Sequence, residues 1–291
     1  MCSSDLGGNS GTWDRTLDYE GTFSGGAFGI FTITVELDYS GLSDNEIILG
    51  STKNDLLRGN NGDDYLYGYE FNDKLYGENG NDTLKGGKGN DILDGGDGQD
   101  TIDLSELTEA VHVDLRDGIE LITVNSVTHA LSSIENVVGS EQDDVIFGDP
   151  QQNTLIGGAG NDVINAGDGD DLIFGGAGND TLDGGSGHDT ADYSNSLSAV
   201  VINIEAGTAT GFGSDSLNSI EQIIGSRHDD MLIGSNNRDV IFGGFGDDTI
   251  DLRSGDGNTV VGGSGQDTIQ LGSGADILHY NNLSEGGDLI S

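Results

Sequence analysis

Four aspartates, Asp162, Asp171, Asp180 and Asp189, recur every nine residues, and Gly160, Gly169, Gly178 and Gly187 keep the same interval. An aliphatic side chain follows the first three aspartates by two places (Ile164, Ile173, Leu182), and Ala191 follows the fourth. Carboxylates in a periodic array suit ligation better than acid–base catalysis, which needs a unique pair. Residues eighteen apart, such as Asp162 and Asp180, fall on the same side of adjacent coils if two units close one coil. Their separation is then roughly 4.8 Å. Two bare carboxylates at that distance repel each other. A hard cation between them removes the repulsion, and calcium takes oxygen ligands at about 2.3–2.6 Å. Carbonyls freed by the glycine conformations can supply the remaining oxygens, so the aspartate spacing asks for a metal.

The elements that must position these aspartates follow from the same period. Nine residues divide into a turn of six and a strand of three. The turn carries glycines, which reach positive φ without a Cβ clash. The strand turns one aliphatic residue inward between two that point outward. A single unit buries almost nothing, so units must stack to share a core. A disordered Gly/Asp-rich tail is the bland alternative, but it gives no reason to hold an aliphatic residue in register with aspartate.

Along the chain, residues 1–6 read as the translated end of a sequencing adapter, with a genuine short N-terminus as the alternative. Residues 7–44 hold a degraded repeat (Ser10 to Asp18) and an alternating strand from Phe31 to Tyr39. The first array, 45–103, carries Asp55, Asp64, Asp73, Asp82, Asp91 and Asp100 at nine-residue spacing, with Leu57, Leu66, Leu75, Leu84, Leu93 and Ile102 in the aliphatic slot. Its early turns lack the full glycine set and are expected to bind metal more weakly. An interlude, 104–138, includes the alternating stretch Val111 to Leu115 and closes on Ser133-Ile134-Glu135-Asn136-Val137-Val138. The second array, 139–192, starts at Asp144 and has Asn153 in place of one aspartate. The next interlude, 193–224, has Val200, Ile202 and Ile204 alternating with Val201, Asn203 and Glu205, and it closes on Ser219-Ile220-Glu221. The third array, 225–279, carries Asp230, Asp239, Asp248, Asp267 and Asp276, with Asn258 in one slot. Gly50, Gly139 and Gly225 open arrays 89 and 86 residues apart, so an interlude plus an array forms a module of roughly 87 residues. Residues 280–291 begin a further module. The chain is therefore expected to be a piece of a longer tandem protein.

Composition bounds the function. The chain of 291 residues has 52 acidic against 10 basic residues, a net charge of −42. Nucleic-acid binding needs basic surface and is excluded on this balance. Self-repulsion of this size opposes a compact state without counter-ions, so folding is expected to be coupled to metal binding. The single cysteine, Cys2, allows no disulfide within the chain. No apolar run approaches the ~18–20 residues that span a membrane, and Met1 to Ser10 show no secretory signal.

From Ser10 to Tyr280 the repeats resemble the RTX, or haemolysin-type, calcium-binding repeat family, whose nonapeptide is G-G-x-G-x-D-x-U-x with U large and aliphatic. The interludes are similar to those between repeat blocks of large secreted RTX proteins and of serralysin-type proteases. The resemblance implies an all-β, right-handed parallel β-roll (a β-solenoid) with several calcium ions in its turns. It also implies type I secretion and folding outside the cell. The motif aspartate carries over to Asp64, Asp82, Asp91, Asp100, Asp162, Asp171, Asp180, Asp189, Asp248, Asp267 and Asp276. Asp55, Asp73, Asp144, Asp230 and Asp239 match in the aspartate alone, and Asn153 and Asn258 depart from the pattern. The expected ligand set is the first group together with Asp73, Asp144 and Asp239, holding on the order of ten calcium ions because stacked turns share each ion.

No catalytic constellation emerges. His112, His129, His188, His228 and His279 make no His-Glu-x-x-His pair, and His188 and His228 read as solvated turn residues. Ser186 and Ser264 lie in glycine-rich turns without a Gly-x-Ser-x-Gly elbow. Asp168 to Asp171 lack the twelve-residue EF-hand pattern. Phe147, Phe174 and Phe242 are expected to cover the outer face, a sugar-binding stripe being the sharper reading. The sequence thus points to a non-enzymatic calcium-binding segment of a secreted or surface protein. Its candidate partners are an extracellular surface, polysaccharide or other RTX modules. The competing reading is an accessory module of a secreted protease, lipase or alginate epimerase, or of a toxin, whose active part lies outside the chain.

Overall fold

The structure, a computed structural model, describes residues 38–40, 45–116, 121–125, 127–279 and 288–291. The proposed adapter scar, the degraded repeat at Ser10 to Asp18, most of the strand at Phe31 to Tyr39 and most of the last module lie outside the described residues. Among the described residues there is no helix; strands of two to six residues alternate with turns.

The expected coil of eighteen residues is present. Thr154–Ala159 pairs in parallel with Leu172–Ala177, setting Leu155 beside Ile173. Val163–Asp168 pairs in parallel with Thr181–Ser186, setting Ile164 beside Leu182. Successive strands of the arrays alternate between two sheets, one of twelve strands and one of seventeen. The result is a parallel β-solenoid, as the aliphatic slot requires: Leu57, Leu66, Leu75, Leu84, Ile102, Leu155, Ile173, Ile241 and Ile250 are completely buried in one continuous core. Each such side chain contributes about 1.5–3 kcal/mol of transfer free energy, an upper estimate against a realistic unfolded chain. The strand residues on either side of each slot are more exposed, which gives the alternating burial of strands such as Val163–Asp168.

The interludes both continue the solenoid and interrupt it. In the twelve-stranded sheet, Thr101–Asp103 pairs with Asn136–Val138, which pairs with Thr154–Ala159, so that sheet passes the interlude with its register intact. In the other sheet three antiparallel strands are inserted, Val111–Asp114, Leu121–Val124 and Val127–Ser132. The last of these stacks in parallel on Ile92–Asp97, and the first stacks on Val145–Phe147. The second interlude repeats the device with Val201–Asn203, Thr208–Thr210 and Ser214–Asn218. Both insertions fall in the same sheet.

The phenylalanines do not form one stripe. Phe147 lies on the seventeen-stranded sheet, whereas Phe174 and Phe242 lie on the other, where Asp192 and Ile224 separate them in register. The Phe147 ring is covered instead by the Arg116 guanidinium, 4.1 Å from its centroid. A row of stacking rings on one face is therefore absent at these three positions.

Candidate metal centres

The turns stack in two columns, one at each edge of the flattened coil. The first column holds Asp55, Asp73 and Asp91, then Asp144, Asp162 and Asp180, then Asp230, Asp248 and Asp267. The second holds Asp64, Asp82, Asp100, Asn153, Asp171, Asp189, Asp239, Asn258 and Asp276. All these aspartates but Asp276 are buried.

Within each column one carboxylate oxygen has a fixed structural task. Oδ1 accepts the backbone amide of the acidic or amide residue one coil earlier. Asp162 N–H donates to Asp180 Oδ1 at 2.9 Å, Asp171 N–H to Asp189 Oδ1 at 2.9 Å, and Asp64 N–H to Asp82 Oδ1 at 2.7 Å. The same bond links Asp55 to Asp73, Asp73 to Asp91, Asp82 to Asp100, Asp144 to Asp162, Asn153 to Asp171, Asp230 to Asp248 and Asp248 to Asp267.

The second oxygen differs from turn to turn. At Asp64, Asp73, Asp82, Asp100, Asp162, Asp171, Asp180, Asp189 and Asp248, Oδ2 is buried and accepts no hydrogen bond from the protein. An ionised oxygen buried without a partner costs several kcal/mol. All but one of these atoms are aimed at the first glycine of their own turn; the exception is Asp171, whose turn opens on the buried Ala166. A Cβ on Gly175 would stand 2.5 Å from Asp180 Oδ2. A Cβ on Gly157 would overlap Asp162 Oδ2 and stand 2.5 Å from the carbonyl oxygen of Gly175 in the next coil. A cradle without a Cβ, walled by an orphaned carboxylate oxygen and a backbone carbonyl, is a set of hard oxygen donors suited to calcium. A Cβ on Gly262 would likewise overlap Asp267 Oδ2.

Burial, reinforced at most positions by the like charge of a stacked carboxylate, raises these groups in the calcium-free protein. Asp64, Asp180 and Asp189 move up to about 6, Asp73, Asp100, Asp162 and Asp171 to about 7, and Asp248 to about 8. Asp82 moves in the same direction for the same cause.

The remaining predicted positions are closed by protein groups. Where serine follows the first glycine, its amide and hydroxyl take both carboxylate oxygens. Ser140 donates to Asp144 at 2.6 and 2.8 Å, and Ser235 to Asp239 at 2.6 and 2.8 Å. Ser51 and Ser226 close Asp55 and Asp230 in the same way. Asp91 Oδ2 lies 3.1 Å from His129 Nδ1, and Asp276 Oδ2 accepts the Gly272 amide at 3.1 Å. Asn153 Nδ2 donates to the Glu135 carbonyl at 2.9 Å and to Asp149 Oδ1 at 2.9 Å.

The glycine-poor turns of the first array keep the glycine geometry. Asn60, Tyr69, Phe71 and Glu78 adopt φ of 76–78° where later turns place glycine. Such backbone costs roughly 1–3 kcal/mol at a non-glycine residue. The orphaned oxygens of Asp64, Asp73 and Asp82 therefore sit in turns that are formed but strained.

Further residues join the columns without carrying the motif. Glu135 Oε2 accepts the Asp100 amide at 2.8 Å, and Glu221 Oε2 accepts the Asp189 amide at 3.1 Å. His129 Nδ1, Asp215 Oδ1 and Asp288 Oδ1 stand at the same place beside the amides of Asp91, Asp180 and Asp267. Their sequence distance from these partners varies from 21 to 38 residues, so periodicity alone does not find them. A second ladder was open to inspection: the residue before each motif aspartate is often Asn or Asp. Asn161 and Asn179 amides donate to the Asp143 and Asn161 side chains at 2.7 and 3.0 Å.

Six stretches of the chain, 40–75, 67–102, 129–164, 156–191, 224–258 and 254–282, match the RTX calcium-binding nonapeptide repeat (four copies). No curated protein matches the chain. The matched stretches cover well over half of its length and coincide with the three arrays of stacked turns; the chain belongs to the RTX calcium-binding nonapeptide repeat family.

Proposed function

We propose that this chain is a calcium-stabilised structural segment of a secreted or cell-surface protein, ordered by calcium outside the cell and without catalysis of its own. The observation that carries this reading is the repeated orphaned Oδ2 beside a glycine cradle. Calcium bound there supplies positive charge to carboxylates that burial otherwise forces towards protonation. Oδ1 of the same side chains ties each coil to the one before it, so a turn that holds its aspartate ionised also holds the stack. A net charge of −42 sets the direction of the switch: without counter-ions the coils repel, and with them the apolar slots can close. The millimolar calcium outside cells matches the affinity range of extracellular calcium modules, about 10⁻⁴–10⁻³ M.

The test is a calcium titration after chelation, followed by far-ultraviolet circular dichroism. A coil spectrum that turns to β at sub-millimolar to millimolar calcium, and not with magnesium, is expected. A β spectrum already complete in chelator at neutral pH would overturn the switch.

A further inference from the structure

The nonapeptide arrays end where the interludes begin, and their last glycine turns in the second column should lack an upper neighbour. They do not. At Gly95, the first glycine of the Asp100 turn, a Cβ would overlap Asp100 Oδ2 and the carbonyl oxygen of Ser133. At Gly184, the first glycine of the Asp189 turn, it would overlap the carbonyl oxygen of Ser219 and stand 2.6 Å from Asp189 Oδ2. Within an array that second oxygen belongs to the glycine eighteen residues on, as Gly175 serves the Asp162 turn. Ser133 and Ser219 thus present the carbonyl of a glycine turn that the interlude does not contain. They do so through the same backbone conformation, φ of 52° and 51°.

Two residues later the imitation is completed. Glu135 and Glu221 occupy the slot of the missing aspartate and accept the amides of Asp100 and Asp189 through Oε2. Asp100 and Asp189 are wholly buried, and their Oδ2 atoms accept no hydrogen bond from the protein. The two interludes differ in most of their residues, yet both build this arrangement. At the first seam Ser133 and Glu135 also line a cavity of about 410 Å3, together with Asp97 and Asp149.

We infer that each Ser-Ile-Glu phrase completes a calcium site at the end of an array. One site is held by Asp100 Oδ2, the Ser133 carbonyl and Glu135, the other by Asp189 Oδ2, the Ser219 carbonyl and Glu221. The interludes then carry metal ligands of their own, outside the repeat motif. This rests on the calcium reading above and adds two sites that no nonapeptide provides by itself.

The experiment uses the full chain and compares wild type with Glu135→Gln, Glu221→Gln and the double variant in equilibrium dialysis against radioactive calcium. Glutamine keeps one oxygen to accept the Asp100 or Asp189 amide and replaces the other by an uncharged NH2, so a residue that merely caps the ladder tolerates the change. The expected result is one site weakened at least ten-fold in each single variant and two in the double, with circular dichroism unchanged at saturating calcium. Unchanged stoichiometry and affinity in all three would overturn the inference while leaving the calcium roll intact. If the wild type binds no calcium, both readings fall together. Should a variant not fold, anomalous diffraction from wild-type crystals grown with calcium reads the sites directly. Peaks between Asp100 Oδ2 and the Ser133 carbonyl and at the Asp189 counterpart support the inference, whereas peaks confined to other turns overturn it.

Discussion

Two columns of turns run along the same solenoid, and only one is continuous. The second column passes from Asp100 through Glu135 to Asn153, and from Asp189 through Glu221 to Asp239, without losing a coil. The first column is cut at both interludes, because the inserted antiparallel strands lie in the sheet it feeds. Each of its three segments starts on an aspartate closed by serine (Asp55, Asp144, Asp230) and ends on a residue from outside the repeats (His129, Asp215, Asp288). On the calcium reading proposed above, the contrast makes a motif aspartate a metal ligand only where its second oxygen is left without a protein donor. What differs between turns is whether local groups, such as the serine after the first glycine or His129 beside Asp91, occupy both oxygens.

The largest expected effect is one of pH. Burial raises the serine-closed Asp144, Asp230 and Asp239 as well, but their serine donors oppose the shift, and the unclosed turns lack such donors. In calcium-free protein, burial raises Asp64, Asp73, Asp100, Asp162, Asp171, Asp180, Asp189 and Asp248 to about 6–8, above the ~3.9 of an aspartate in an unfolded chain, and moves Asp82 in the same direction. A carboxyl raised on folding binds its proton more tightly in the native state. Its contribution is therefore fully present below about pH 4 and is lost as the pH rises through 6 to 8. Calcium-free roll should be more ordered at pH 5 than at pH 8, with saturating calcium abolishing the difference. Hydrogen exchange should show the loss first in the turns of Asp162 to Asp189. An apo protein equally ordered at both pH values would break the distinction.

A smaller effect compares single turns of the two columns. Asp171→Asn removes an unclosed charge and should weaken one calcium site at least ten-fold, about 1.4 kcal/mol. Asp144→Asn changes a carboxylate already held by Ser140 and should leave the calcium count unchanged in the same dialysis. Ser140→Ala should instead lower stability by about 1–3 kcal/mol through the hydrogen bond taken from a buried carboxylate, read by urea unfolding in calcium.

The smallest effect concerns the strained turns. Phe71 is exposed and holds φ of 76°. Phe71→Gly should stabilise the first array by about 1 kcal/mol, the relief of the left-handed strain less the added freedom of glycine in the unfolded chain. No gain, or a loss, would mean that the early turns carry no strain to relieve.

Much of this was legible in the sequence for a simple reason. A period of nine with an aliphatic residue two places after aspartate allows one stacking register, and Leu57 to Leu75 or Ile164 to Leu182 obey it. The aspartates whose Oδ2 remains orphaned were all within the predicted set. What could not be read was the fate of the other oxygens. Ser140 and Ser235 look like poor glycines in the motif, yet in space they are hydrogen-bond donors. Glu135, Glu221, His129 and Asp215 enter the columns only after chain detours whose lengths follow no period. The Ile202 and Val113 strands were legible as alternation, but the sheet that receives them was not.

The interludes also solve a problem that perfect repetition creates. Within an array every coil presents nearly the same side chains to its neighbour, so a stack that skips or doubles one coil of eighteen residues satisfies almost every contact and costs little. Register is weakly specified in any such array. The interlude residues occur once each: His129 meets Asp91, and Tyr193 donates its hydroxyl to Asp215 at 2.8 Å inside the core. A slipped stack reaches these marks out of step and leaves them unmatched. Misregistered folding is thereby confined to one array at a time, and the length of a faultless repeat between marks sets how far an error can spread.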